Sequence, residues 1–291
     1  MRKAIWIPAC LVLFLFGDRL GGWMLSEIST KSQFRYTRLY QGKAEADILL
    51  LGNSRGLIFY QPYIEKITGK RTLNLSYNSM PIDLGRAIIE DYLDQYRAPE
   101  LLLIDITMCD RINNQLIAGF STFSPFSDRL NELIKEKSAK SWYAGKLSHL
   151  YRYNSEVFQR TLFYLTKSDE DWLNDRLIST TMQQNIDEED IVELQTDQYL
   201  LSELELLIKN AEKKGVMAAL VANPYYPGYI DKMHQFYKFI GKIEAKTNKK
   251  VKDYSRALQE VSGFADYQHL NKQGSRQYLD LLLRDGILSK K

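Results

Sequence analysis

Short, largely apolar segments constrain the fold of this 291-residue chain more than any other feature. The segment 47–51 reads Asp-Ile-Leu-Leu-Leu and is followed by Gly52, and the segment 101–106 has a similar character. Such runs are typical of strands that are buried on both faces, as in a parallel sheet covered by helices. Stretches with helical spacing lie between the runs, so the alternation predicts an α/β protein built on one parallel sheet.

We predict about five strands and a long interruption after the third. The strands are expected near residues 47–51, 72–75, 101–106, 216–221 and 251–254, with a last helix from about Asn271 to Leu283. Residues from about 111 to 196 instead carry aromatic side chains at helical spacings, without a convincing strand. This stretch is too long for an ordinary loop. We interpret it as a helical insertion that serves as a cap or a partner surface.

The N-terminus has the layout of an export signal. Positions 2 and 3 are basic and about 13 apolar residues follow, ending at Phe16, with no small-x-small cleavage site behind them. Continuing to Leu25 gives the ~20 residues that a spanning helix needs, although Asp18 and Arg19 then lie near the far interface. We predict an uncleaved signal anchor over residues 1–25; a cleaved signal peptide and a buried soluble helix are the alternatives.

The orientation of this anchor determines where the rest of the chain lies. The basic end is expected to stay in the cytoplasm, so the remainder is exported to the periplasmic or extracellular side of the plasma membrane. A polar stalk over residues 26–45 and one domain over residues 46–291 are predicted to follow the anchor.

Charge and composition exclude several classes of function. The 39 basic and 36 acidic residues are dispersed, without the basic stripe of a nucleic-acid-binding protein. Two cysteines and three histidines, all far apart, do not have the spacing of a zinc site. No Gly-x-Gly-x-x-Gly or Walker-type loop follows the first strand, which disfavours a nucleotide-binding protein. We therefore expect neither a metal nor a cofactor.

Two distant motifs carry residues that are suited to nucleophilic catalysis. Ser54 follows the first strand on a tight turn beside a helix N-terminus, where backbone N–H groups can stabilise an oxyanion. A serine needs a base, and the base needs an orienting acid. His269 and Asp266 precede the last helix and would supply both if their loop reaches the carboxyl edge of the sheet. Alternatively, the first motif is a turn with polar caps, and the second is a helix cap beside a surface histidine.

Together the two motifs resemble those of the SGNH (GDSL-type) hydrolases. In that family the nucleophile follows the first strand in a Gly-Asp-Ser-like block, and an Asp-x-x-His block near the C-terminus holds the acid and the base. Here Asn53 replaces the usual Asp of the first block, and the last block matches fully. The resemblance covers about residues 46–283 apart from the insertion. It implies a flavodoxin-like three-layer sandwich, with Ser54 as nucleophile, His269 as general base and Asp266 as its partner.

The oxyanion positions of the family match less well. The family donates from a glycine after the second strand and from an asparagine side chain after the third. The corresponding segments read Leu-Ser-Tyr-Asn-Ser at 75–79 and Ile-Thr-Met-Cys-Asp at 106–110, so the third-strand asparagine is absent. The predicted donors are the backbone N–H groups of Ser54 and Ser79 and the side chain of Asn78.

Three further residues are candidates for binding substrate. Arg55 stands beside the nucleophile and could attract an anionic group, and Tyr225 and Tyr226 could form a platform for a sugar after the fourth strand. A solvated arginine and a loop packed on its own aromatic rings are the alternatives.

The combination of anchor and domain adds a second resemblance, in layout only. It is similar to the D-alanine transfer proteins of lipoteichoic acid and to proteins that O-acetylate extracellular polysaccharides alongside membrane-bound acyltransferases. We therefore predict an exported, membrane-tethered serine esterase or O-acyltransferase that acts on acylated glycans, with a membrane-bound O-acyltransferase as a candidate partner. The alternative is a catalytically degenerate SGNH-like protein that binds a glycan or such a partner.

Overall fold

A five-stranded, all-parallel sheet lies at the centre of the structure, a computed structural model that describes residues 6–173, 175–191 and 193–291. The strands follow the order β2-β1-β3-β4-β5, which is the flavodoxin-like order. The predicted α/β class is therefore confirmed. The strand bounds are β1 Ile48–Leu51, β2 Thr72–Asn74, β3 Leu101–Asp105, β4 Met217–Ala222 and β5 Val251–Asp253.

Helices cover both faces of this sheet, and every residue of β1, β2 and β3 is therefore buried. The helix bounds are α1 Trp6–Ser29, α2 Arg35–Tyr40, α3 Gln61–Thr68, α4 Ile82–Gln95, α5 Asn114–Gly119, α6 Asp128–Lys137, α7 Ala139–Leu147, α8 Glu156–Phe163, α9 Thr180–Gln184, α10 Gln198–Lys213, α11 Pro227–Asp231, α12 Phe236–Thr247 and α13 Lys272–Arg284. Helix α10 packs on both α4 and α12 as one layer. Helices α3 and α13 are linked by a hydrogen bond that Tyr63 of α3 donates to Asp280 of α13 at 2.9 Å.

The chain divides into two compact units. The helical unit contains the described residues up to Lys43 and Asn114–Asp169, and the sheet unit contains Ala44–Asn113 and Glu170–Lys291. The predicted insertion of 111–196 is thus helical as expected, with no strand among its described residues, but only its first two thirds belong to the helical unit. The remainder is tied to the sheet unit: Ile178 N–H donates to Phe264 O at 2.8 Å and Gln195 N–H donates to Asp110 at 2.8 Å.

The prediction of a polar stalk over residues 26–45 is wrong. Helix α1 continues to Ser29, α2 follows it, and Phe34 and Tyr36 are fully buried in the helical unit. The ring of Phe34 stacks on Tyr164 with centroids 5.6 Å apart. Arg35 forms a buried ion pair with Asp169 at 2.8 Å. The aromatic residues of the insertion need an apolar cover, and this segment provides it.

Helix α1 carries the predicted membrane segment. Within the described residues it is the one helix that is long and apolar enough to cross a membrane. Its 24 residues correspond to roughly 36 Å, against ~30 Å of hydrocarbon. Side chains such as Leu13 and Phe14 are largely exposed, whereas the core helix of a soluble protein would bury them. The basic positions 2 and 3 lie outside the described residues.

Candidate active site

The nucleophile candidate Ser54 begins a tight 3-10 turn, Ser54–Ile58, directly behind β1. Asn53 caps this turn, since its side-chain oxygen accepts a hydrogen bond from Arg55 N–H at 2.9 Å. Two glycines allow the close packing. A Cβ on Gly52 would lie 2.5 Å from the Cα of Gly56, and a Cβ on Gly56 would lie 2.5 Å from the hydroxyl of Ser76. The turn that carries the serine is therefore too tight for a residue larger than glycine at position 52 or position 56.

The loop before α13 brings His269 and Asp266 to this turn. The Nε2 atom of His269 lies 2.9 Å from the Ser54 hydroxyl, and Nδ1 lies 2.8 Å from a carboxylate oxygen of Asp266. The loop is closed by a bridge between Phe264 and Leu270 and by the hydrogen bond from Ala265 N–H to His269 O at 2.9 Å. The structure thus joins the three predicted catalytic residues in one hydrogen-bonded series across 215 positions of sequence.

The environment of Asp266 favours its charged form. Burial acts to raise the pKa of this carboxyl group, but the hydrogen bonds from His269 and from the N–H groups of Gln268 and His269 outweigh burial and lower the pKa below its usual range. Arg176 adds an ion pair at 3.2 Å to the other carboxylate oxygen. An ionised carboxylate holds the proton on Nδ1, so that Nε2 can accept the serine proton.

A cavity of about 190 Å³ opens beside the Ser54 hydroxyl. Its wall is formed by the ends of several strands, and its lining residues are Asn53, Ser54, Arg55, Ser79, Met80, Thr107, Met108, Asp110, Arg111, Leu194, Tyr225 and Gln268. It lies at the carboxyl edge of a parallel sheet, the usual place for a ligand in this fold.

Of the predicted oxyanion donors, the structure places Ser54 and Ser79 at this cavity. Ser79 adopts a left-handed backbone conformation with φ of 55°, and its N–H group makes no hydrogen bond to another described residue. Asn78 is exposed and does not line the cavity, so the prediction for its side chain is not supported by the geometry. After β3, Thr107 lines the cavity, but its hydroxyl donates to Asp105 at 2.6 Å.

Arg55 lines the cavity, as expected of a substrate ligand, but it is buried and not a solvated residue. The residue is only 3% exposed, and its Nη2 donates to the carbonyl groups of Asn223 at 2.6 Å and Pro224 at 2.9 Å. Its Nη1 donates to the carbonyl of Gln268 in the histidine loop. The guanidinium also lies 3.4 Å above the ring of Tyr225. Arg55 therefore fastens the serine turn to two other loops, which is a positioning role.

Tyr225 and Tyr226 do not form an exposed platform for a sugar, although Tyr225 lines the cavity. Tyr225 is 1% and Tyr226 is 9% exposed, so neither presents a ring face to solvent. Tyr226 packs on Phe264 and Tyr267 at centroid distances of 5.6 and 5.8 Å. The alternative, a loop packed on its own aromatic rings, holds for Tyr225, which stacks on Tyr229 at a centroid distance of 6.0 Å and contributes to the cavity wall, whereas Tyr226 packs on rings of the histidine loop.

A buried polar network under the serine turn was not predicted. Asn223 donates to the carbonyl of Arg55 at 3.1 Å and to Asp105 at 2.5 Å, and it accepts a hydrogen bond from Tyr278 at 2.7 Å. Burial raises the pKa of Asp105, and the charge of Arg55 opposes that rise. One signal in the sequence could have identified the network: Asp105 and Asn223 are polar residues that end or directly follow an apolar strand.

Comparisons with known proteins add no assignment to this geometry. A scan against models of protein families gives no match, and a search of curated proteins finds no significant similarity. Within the described part of the chain, no group of three or more His, Cys, Asp or Glu side chains could hold a metal ion.

Proposed function

We propose that this protein is a serine esterase or O-acyltransferase in which Ser54, His269 and Asp266 act as the catalytic triad. One observation carries the proposal: the hydroxyl, imidazole and carboxylate follow each other at 2.9 and 2.8 Å beside an open cavity. The resemblance of the two motifs to the SGNH hydrolases supports the same chemistry.

The reaction would proceed through an acyl-enzyme. The Ser54 oxygen attacks the carbonyl carbon of an ester while His269 Nε2 takes the hydroxyl proton. As the tetrahedral intermediate collapses, the ester C–O bond breaks and the leaving alkoxide receives that proton from His269. A water molecule or a sugar hydroxyl then attacks the acyl-enzyme while His269 takes its proton. The bond between the acyl group and Ser54 breaks, His269 returns the proton to the Ser54 oxygen, and the product is a free acid or a new ester.

The negative charge of the tetrahedral intermediate needs nearby donors. We assign this role to the backbone N–H groups of Ser54 and Ser79, which come from turns at neighbouring strand ends. Ser79 has a left-handed backbone conformation, and its N–H group makes no hydrogen bond to any residue that the structure describes. Each such donor typically contributes ~10²–10³ in rate.

The size of the cavity favours a small acyl group. At about 190 Å³ it is smaller than the ~300–1,000 Å³ of drug-sized ligand sites, and its lining includes Asp110 and Arg111. A long fatty acyl chain does not suit such a polar, confined space, whereas an acetyl or similarly short group does. The alcohol part of the ester would lie outside the cavity.

The N-terminal helix favours a glycan of the cell envelope as the alcohol part of the ester substrate. With α1 as a signal anchor and the basic N-terminus in the cytoplasm, both units are exported and face the cell-envelope or extracellular polysaccharides. A membrane-bound O-acyltransferase is the candidate partner, because an acyl group must reach this side of the membrane before it can be transferred.

Acyl release from O-acetylated polysaccharide tests the proposal with the full-length protein in detergent. We expect Ser54→Ala to abolish release, and Ser202→Ala to leave it unchanged, since Ser202 is half-buried on α10 and its hydroxyl donates within its own helix to the carbonyl of Gln198 at 2.9 Å. Equal loss of acyl groups from the polysaccharide, to water or to an added acceptor sugar, with wild-type protein and with Ser54→Ala would contradict the enzymatic proposal.

A second candidate function is binding without turnover. It is favoured by the oxyanion positions: the third-strand asparagine is absent, the Thr107 hydroxyl is engaged by Asp105, and Asn78 lies outside the cavity. In that case the wild-type protein would bind acetylated glycan and release no acyl group, and Ser54→Ala would bind equally well.

A further inference from the structure

Helix α1 carries a carboxylate within its apolar length. Asp18 lies 12 residues, or roughly 18 Å, beyond Trp6. Its side chain is buried and accepts hydrogen bonds from His149 N–H at 2.8 Å, from Leu150 N–H at 3.2 Å and from the Ser148 hydroxyl. A charged group inside a spanning helix is costly unless it is paired. Arg19 forms an ion pair with Asp18 at 3.0 Å, and the segment 148–150 supplies three further hydrogen-bond donors.

Two glycines bring that segment into direct contact with α1. A Cβ on Gly22 would lie only 2.4 Å from the Cβ of His149, and a Cβ on Gly21 would lie 3.0 Å from a methyl carbon of Leu150. Larger residues at these positions would push the segment away and remove the three hydrogen bonds that it donates to Asp18. The contact is therefore built into both parts of the sequence.

The depth of this contact follows from helix geometry. A span that begins at Trp6 and contains ~20 residues ends near Leu25. Trp23 and Met24 are exposed on the helix surface, as expected for side chains at the outer boundary of the hydrocarbon. Because the segment 148–150 lies beside residues 18–22 of the helix, it is roughly 5–10 Å below that boundary.

Apolar side chains surround the same segment and point away from the unit. Leu147 is 74% exposed, and Tyr143, Leu150 and Tyr151 are exposed as well. Two lysines on α7, Lys140 and Lys146, are also exposed. Tyrosine rings favour the membrane–water interface, and lysine side chains can extend from it to the phosphate groups.

We propose that Tyr143, Leu147, Leu150 and Tyr151, here called the membrane-facing tip, are embedded in the outer leaflet of the bilayer that α1 crosses, at and just below the boundary of the hydrocarbon. The occupant of this surface is lipid, because the surface is continuous with the lipid-facing side of α1. The inference depends on the proposed placement of α1 in the membrane. In this arrangement the helical unit contacts the bilayer through the membrane-facing tip as well as through α1.

Depth-dependent quenching of a fluorophore tests the inference in the full-length protein. The protein would be inserted into phosphatidylcholine–phosphatidylglycerol vesicles, and an environment-sensitive probe would be attached at Leu147→Cys in a Cys10→Ser background. Cys109 stays in place because it is buried. Phe163→Cys is the matched control: it is also exposed, at 50%, but its neighbour Tyr164 bonds Gln33, beyond the end of α1.

We expect the probe at position 147 to be quenched at least about twofold more by lipids brominated near the headgroup than the probe at position 163, and less by aqueous iodide. Equal quenching at the two positions would overturn the inference. A probe on the native Cys10 distinguishes failure of this inference from failure of the proposed anchor. If the probe at position 10 is shielded from iodide while that at position 147 is not, α1 spans the membrane but the membrane-facing tip lies outside it. If the probe at position 10 is accessible to iodide, the proposed placement of α1 in the membrane is contradicted.

Discussion

The buried network under the serine turn gives the most quantitative prediction, through Asn223→Ala. This substitution removes three hydrogen bonds at a fully buried position: to the carbonyl of Arg55, to Asp105 and from Tyr278. Leaving a buried polar partner unsatisfied costs about 1–3 kcal/mol. Three partners lose a hydrogen bond, but local rearrangement reduces the total below the sum of three separate losses. We expect the free energy of unfolding to fall by about 3–5 kcal/mol, a large part of the ~5–15 kcal/mol typical of a domain.

Asn210→Ala is the matched control for that variant. Its side chain makes a single, partly exposed hydrogen bond to Glu90 at 2.7 Å, so we expect a loss of less than about 1 kcal/mol. Urea unfolding of both variants in the same detergent, followed by tryptophan fluorescence, measures the difference. If Asn223→Ala loses no more than Asn210→Ala, the network does not stabilise the fold as the structure implies.

The same variant also has a kinetic consequence. Asn223 does not touch the reacting atoms, but it holds the backbone carbonyl next to Ser54. A shift of the nucleophile by about 1 Å can cost ~10² in rate. We expect ester hydrolysis by the folded Asn223→Ala protein to show a lower kcat at an almost unchanged KM. A change in KM alone would argue against a positioning role.

Three further predictions concern other charged groups. Asp266→Asn is expected to lower kcat/KM for ester hydrolysis by about 10³–10⁴, because the imidazole loses its orienting carboxylate; a loss of less than tenfold would contradict the triad. The lowered pKa of Asp266 stabilises the folded state above the unfolded value of ~3.9 and loses this effect as the pH falls through the lower folded pKa. Urea unfolding between pH 5 and 2.5 should therefore show a shallower acid loss of stability for Asp266→Asn than for wild type, and identical slopes would refute the assignment. Arg35→Leu leaves Asp169 buried without its guanidinium partner and is expected to cost about 3–5 kcal/mol by thermal unfolding, whereas adding Asp169→Leu should restore part of the loss, since the backbone N–H of residue 35 also donates to this carboxylate at 2.8 Å; an equally unstable double variant would contradict this.

The sheet and the triad geometry were accessible from the sequence because both depend on local patterns. Apolar runs such as 47–51 have one stable environment, a strand covered on both faces, and parallel strands place their carboxyl ends at one edge. Ser54 and His269 therefore had to meet if each followed its predicted element. Asn271 helps to fix the second of them, since its side chain caps α13 through Gly274 N–H at 3.0 Å.

The errors concern side chains whose direction depends on distant partners. Arg55 and Tyr225 looked like a cation and a ring available to a substrate, but they pack against each other at 3.4 Å. The polar segment after α1 looked solvated because its apolar residues, Phe34 and Tyr36, are few and separated by charged ones. Their burial depends on aromatic residues 84 to 130 positions later, such as Phe120 and Tyr164, which no local pattern connects to them.

Labelling with a fluorophosphonate, followed by mass-spectrometric mapping of the modified peptide, tests the catalytic assignment most directly. The reagent bonds covalently only to a serine that a neighbouring base activates. We predict one adduct, on Ser54, in the folded, anchored protein, and none in His269→Ala. An unmodified Ser54 in the wild-type protein, or equal labelling in His269→Ala, would contradict the assignment.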